Sequence, residues 1–232
     1  MLRFRPYLIV AFGTIVPLSG RIEVQTPSIL DQGTFIVSRN GTTIGRESFR
    51  VLRAPGPGGQ MLRATGQSAI GDERAETTLG TDSLGVPLSY DNKVYTRGEL
   101  TNRVRGLSSR PGRFSVFLQT KGGESAREYV LNNGALLMDD GVFHHFYFIP
   151  IASSHDHVLV IAPRSGQQER FALQDLGADP VRVATKQVDA RHLALKGADG
   201  ESRDVWVDDK GRLLKVALPA HGLVALRDEL PR

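Results

Sequence analysis

The feature that most constrains this chain is its turn chemistry, repeated between stretches of period-two hydrophobicity. Asn40-Gly41 separates Thr34–Arg39 from Thr42–Ala54. A two-residue type I′ hairpin turn needs positive φ at both central residues, and Asn-Gly adopts this most readily. Pro55-Gly56-Pro57-Gly58-Gly59 reads as a flexible loop, and Lys121-Gly122-Gly123, Asn132-Asn133-Gly134, Asp199-Gly200 and Asp209-Lys210-Gly211 mark further turns. Between them apolar residues alternate with polar ones. Phe114, Val116 and Leu118 share a face, as do Tyr129 and Leu131, and Leu214, Val216 and Leu218, while Val205 and Val207 oppose Trp206. A sheet with one buried and one wet face requires this pattern. Strands do not alternate with helices, so the pattern argues against a doubly wound fold. The expected fold is all-β and mainly antiparallel, a curved sheet or half-barrel forming one domain over residues 33–230.

With 232 residues, 40% of them hydrophobic, the chain can bury a core without covalent staples. The absence of cysteine excludes a disulfide scaffold, a thiol nucleophile, thiolate zinc sites and iron–sulfur clusters. The net charge of +4 arises from 29 basic and 25 acidic residues with interspersed signs. That is a mixed, solvated surface rather than a nucleic-acid footprint, so no nucleic-acid partner is expected.

Residues 1–20, MLRFRPYLIVAFGTIVPLSG, place Arg3 and Arg5 before an apolar run from Tyr7 to Leu18. The run is too short to cross about 30 Å of hydrocarbon as a helix. Pro17, Ser19 and Gly20 mark a plausible cleavage point. This segment reads as a secretory signal peptide, with an uncleaved anchor as the alternative. The expected location is periplasmic or secreted.

One stretch, Ala135–Ile149, breaks the strand pattern. Asp139 or Asp140 can cap a helix, on which Val142, Phe143, Phe146 and Ile149 share a face before Pro150 stops it. The spacing predicts one aromatic-rich helix packed on the concave face of the sheet. Phe143, Phe146, Tyr147 and Phe148, together with Trp206, are the candidates to line an apolar ligand cavity.

The opening GTFIVSRNGTTIGRESFRV (33–51) and the ending VWVDDKGRLLKVALPAHGLVALRDEL (205–230) resemble exported β-rich bacterial domains of unknown function. More distantly they are similar to the LolA/LolB lipoprotein carriers and LppX-type lipid binders, the W-V-D-x-x-G-R-L-x-K-V stretch (206–216) most specifically. The resemblance implies a half-barrel wrapped over helices around an apolar cavity, and it carries no catalytic residues.

His144, His145, His155 and His157 are four of the six histidines. On a strand, His155 and His157 would point to one face, and two imidazoles with a carboxylate suit a divalent metal, His144 or His145 supplying a third ligand. The simpler reading is a solvated polar loop, and no metal or cofactor is expected. Ser153, Ser154, His155 and Asp156 are neighbours, but a catalytic triad needs convergence in space. The string Gly66-Gln67-Ser68-Ala69-Ile70-Gly71 misses the nucleophile-elbow spacing by one residue. Three functions follow in order: a non-enzymatic envelope protein binding a lipid or acyl chain, a structural or interaction domain with a solid core, and a metal-dependent hydrolase using the histidine cluster.

Overall fold

The computed structural model describes residues 26–56, 59–131, 135–153 and 155–231. The candidate signal segment, the Asn132–Gly134 turn and Ser154 lie outside the described residues. The first half of the chain is a succession of long hairpins: β1 (Ser28–Arg39), β2 (Thr42–Gly56), β3 (Gly59–Ile70), β4 (Glu73–Asp82), β5 (Pro87–Thr96), β6 (Glu99–Arg110), β7 (Arg113–Thr120) and β8 (Gly123–Val130). Each pairs antiparallel with the next. Asn40 and Gly41 form the predicted two-residue turn, at φ 48° and 83°. Arg97-Gly98 repeats it at φ 52° and 86°.

The second half uses shorter strands: β9 (Ala135–Leu137), β10 (His157–Ala162), β11 (Gln167–Ala178), β12 (Val181–Val183), β13 (Lys186–Val188), β14 (Arg191–Lys196), β15 (Ser202–Val207), β16 (Leu213–Leu218) and β17 (Leu223–Arg227). Strand β17 pairs with β1, so both halves join one curved 15-stranded sheet of order β8-β7-β6-β5-β4-β3-β2-β1-β17-β16-β15-β14-β11-β10-β9. Among the described residues its single parallel pair is β9 with β10. Strands β12 and β13 form a separate ladder. The all-β, mainly antiparallel expectation therefore holds.

The predicted helix does not. Phe143–Phe148 is a six-residue 3₁₀ helix, and all six side chains are buried. A one-sided amphipathic helix needs a wet face, and this segment has none. Asp139 and Asp140 do not cap it; Glu47, far away on β2, accepts hydrogen bonds from Phe143 N at 2.9 Å and His144 N at 2.7 Å. A buried helix start leaves its N–H groups without water, so a carboxylate from the sheet takes water's place.

Inward positions of the strands build one core. Phe35, Val37, Phe49, Val51, Leu79, Val104, Phe114 and Val116 close over the 3₁₀ segment, each fully buried side chain contributing roughly 1.5–3 kcal/mol. Side chains draw β8 towards the β10–β11 hairpin: Arg127 donates to the Gly166 carbonyl, and Gln168 Nε2 to the Val130 carbonyl at 3.4 Å. The closing strands are tied by Arg227, fully buried, which meets Asp31 at 2.6 Å and the carbonyls of Leu213 (2.9 Å) and Gln32. Gly33 makes the room, since a Cβ there would lie 2.6 Å from the guanidinium. A second cluster, Val181, Val183, Trp206, Leu214 and Ala217, packs under β12 and β13 on the outer face.

Candidate functional site

Two features stand out inside this frame: a buried polar network and a pocket that opens beside it. The network begins at Glu47. Its Oε1 lies 3.0 Å from His144 Nδ1, and His144 Nε2 lies 3.3 Å from the Thr77 hydroxyl. His144 fits because Gly66 has no side chain; a Cβ there would collide with the imidazole. The hydroxyl–imidazole–carboxylate order is that of a hydrolytic triad, but Thr77 is only 6% exposed and His144 and Glu47 are buried. The three hold the 3₁₀ segment against β2, β3 and β4.

Asp139 anchors the other side. It accepts hydrogen bonds from Tyr90 Oη (2.7 Å), Asn92 Nδ2 (3.0 Å) and Arg164 N (2.9 Å). Burial still raises its carboxyl above the ordinary carboxylate range, against those three donors. Burial and Asp139 together push the Tyr90 hydroxyl well above its usual value. His145 is driven well below the ordinary histidine range by burial and by neighbouring His144. Its Nδ1 accepts from Asp139 N at 3.3 Å, which places the proton of the neutral ring on Nε2, an atom with no partner among the described residues.

The pocket occupies one end of the rolled sheet and has a volume of about 450 Å³. Its floor includes Val37, Ile70, Met138, Val142, Phe143 and Phe146. Its rim carries Arg39, Glu73, Asp140, Arg164, Arg203 and His221. Strand ends and the Asp139–Gly141 turn set the mouth, and the start of the 3₁₀ segment sets the wall.

Of the predicted cavity residues, Phe143 and Phe146 line this pocket. Tyr147 and Phe148 point into the main core, packed edge-on at 5.7 Å. Trp206 belongs to the outer cluster, stacked on His192 at 4.1 Å, under Lys215 Nζ at 3.8 Å and donating to Asp179 at 2.7 Å. His144 is buried inside while His155 and His157 are exposed outside, so the structure does not bring the three metal candidates together. No group of three or more potential metal ligands occurs among the described residues. Sequence reasoning missed Glu47, Thr77, Tyr90 and Asn92. Each sits in the same strand parity as buried apolar neighbours: Glu47 with Phe49 and Val51, Thr77 with Ala75 and Leu79, Asn92 with Val94. A polar residue in the inward phase of a period-two strand was the available signal.

No protein-family model matches the chain, and no curated protein matches it. Two solved structures are similar to it. One is a β-barrel-like protein of the domain of unknown function DUF1849 from Brucella abortus, with 13% identity and a TM-score of 0.48 over 84% of this chain and 93% of that one. The other is a DUF1089 family protein from Pseudomonas aeruginosa, with 12% identity and a TM-score of 0.41 over 91% and 97%.

Proposed function

We propose that this chain is a non-enzymatic cell-envelope protein that binds an apolar ligand, such as an acyl chain, in the pocket at the open end of its sheet. The observation that carries this reading is the pocket itself: about 450 Å³, floored by Phe143, Phe146 and aliphatic strand residues. Ligand pockets are concave, mostly apolar and carry a few polar groups that set orientation. The charged N-terminal start and the apolar run to Leu18 support a location outside the cytoplasm. A second reading, an interaction domain with a solid core, draws on the filling of the interior by the aromatic 3₁₀ segment. It differs from the first only at the pocket.

Ala75 separates them. It is buried on β4 and lines the pocket. Ala75→Phe places a ring in the space a ligand would take. With a fluorescent fatty-acid probe, the parent protein should bind and Ala75→Phe should not, while both unfold at similar urea concentrations. Absence of probe binding by the parent leaves the interaction-domain reading.

A further inference from the structure

The charges at the mouth of this pocket are unevenly matched. Two rim cations are already matched: Arg164 lies 3.3 Å from Glu73, and Arg203 lies 3.0 Å from Glu201. Arg39 and His221 differ. Both are exposed, and neither side chain has an ion-pair or hydrogen-bond partner among the described residues. They share one corner, because β1 ends where β17 begins: Arg39 faces Leu223 across the ladder, and Asn40 N donates to the Gly222 carbonyl at 2.8 Å. Asp140, a rim carboxylate with no ion-pair partner among the described residues, follows Asp139, whose Oδ1 accepts from Arg164 N. The mouth is thus polarised. Its β1–β17 corner offers a guanidinium fork and a ring N–H, and the Asp139–Gly141 turn offers a negative charge.

We propose that the pocket takes an amphiphile with one anionic head, a carboxylate or phosphate, held at the Arg39–His221 corner. Its chain lies along Val142, Phe143 and Phe146. This rests on the apolar-ligand reading above and adds the class of head group. A guanidinium presents paired N–H donors that match the oxygens of either anion. Asp140, carried by the Asp139–Gly141 turn rather than by this corner, disfavours an anion beside it and so biases the head towards Arg39 and His221. A neutral head gains neither effect, and a cationic head meets the opposite pattern.

The test is calorimetric titration of the full chain with four ligands of equal chain length: dodecanoate, dodecyl phosphate, dodecanol and dodecylamine. The two anions should bind about fivefold more tightly than the alcohol, the scale of an exposed ion pair, and the amine more weakly than all. The paired substitution Arg39→Gln and His221→Gln should bring the anions down to the alcohol's affinity and leave the alcohol unchanged. Both side chains are exposed, so the urea midpoint should not move. Carboxylate against phosphate identifies the source of the head group. Equal binding of alcohol and anions, preference for the amine, or an anion preference that survives the double substitution overturns the assignment of the corner. If none of the four binds, the apolar-ligand reading falls and this inference with it.

Discussion

Strands β1–β8 and strands β9–β17 build the same sheet by different means. In the first half, each strand pairs with its sequence neighbour through short turns. In the second, a parallel pair, an aromatic 3₁₀ segment and a detour through β12 and β13 intervene before β17 closes on β1. The halves also differ in what they turn inward. The first offers a shell with gaps and polar positions: Gly66, Glu47, Thr77 and Asn92. The second supplies what fills them: His144, His145, Asp139 and the phenylalanines around them. The first half dictates its own strand order locally but depends on the second for its core.

The sharpest way to break this picture is at Glu47. Its carboxylate receives both Phe143 N and His144 N, and it also meets the His144 ring. Glu47→Ala removes the acceptor while its donors stay buried. Each buried N–H donor left without its acceptor costs about 1–3 kcal/mol, and two are orphaned together. Urea unfolding of the variant should show a loss of that size. A loss below about 1 kcal/mol, the scale of a minor surface contact, would show that the two halves hold together without this tie.

The same division explains what could be read from the chain beforehand. Asn40-Gly41 acts through its own backbone angles, so the hairpin it forms was legible from two residues. Period-two burial of Phe114 and Val116 was legible for the same reason: the pleat sets which face each side chain takes. The spacing around Phe143–Phe148 misleads because an amphipathic helix presumes a solvated back. The back of this segment is enclosed by strands separated from it by tens of residues in sequence, and its cap comes from Glu47. Trp206 opposes Val205 and Val207, which face the main core, so it lies outside the cavity for which it is a candidate. Parity already assigned it to the other side. The pocket is a product of sheet closure, and no local pattern encodes where two distant strand ends meet.

A smaller effect tests the polar centre through pH. His145 is held neutral by burial, with its protonation shifted well below the ordinary histidine range. Below about pH 6.5 the unfolded chain takes up a proton there that the folded one refuses, so stability falls as pH falls. Asp139 and Asp31 are shifted upward, so their folded forms bind protons first and act in the opposite direction, stability declining as pH rises through the carboxylate range. The histidine contribution therefore declines as pH falls from about 7 towards about 5. Urea midpoints of the parent and of His145→Asn, followed across that interval, should diverge in slope, the variant being flatter. Parallel slopes would mean that His145 gains its proton in the folded state, and that the region around Asp139 admits water.

The smallest expected effect lies in the first half, where structure is local. Gly41 sits at φ 83°, and a Cβ built there touches nothing within 4 Å. Gly41→Ala therefore tests backbone conformation alone. A left-handed L-residue costs about 1 kcal/mol or slightly more, with no packing contribution to add. The β1–β2 ladder continues through Arg39 and Thr42 on either side, so the strain should remain in the turn. Denaturant unfolding should show a midpoint shifted by that amount with an unchanged slope, since the surface exposed on unfolding stays the same. Backbone amide exchange should quicken at residues 39–42 and not in β9–β17. A loss approaching that of Glu47→Ala, or faster exchange reaching the 3₁₀ segment, would show that the β1–β2 turn is coupled to the second half. Asn40 N already donates to the Gly222 carbonyl, so that coupling would run through the β17 corner of the pocket mouth.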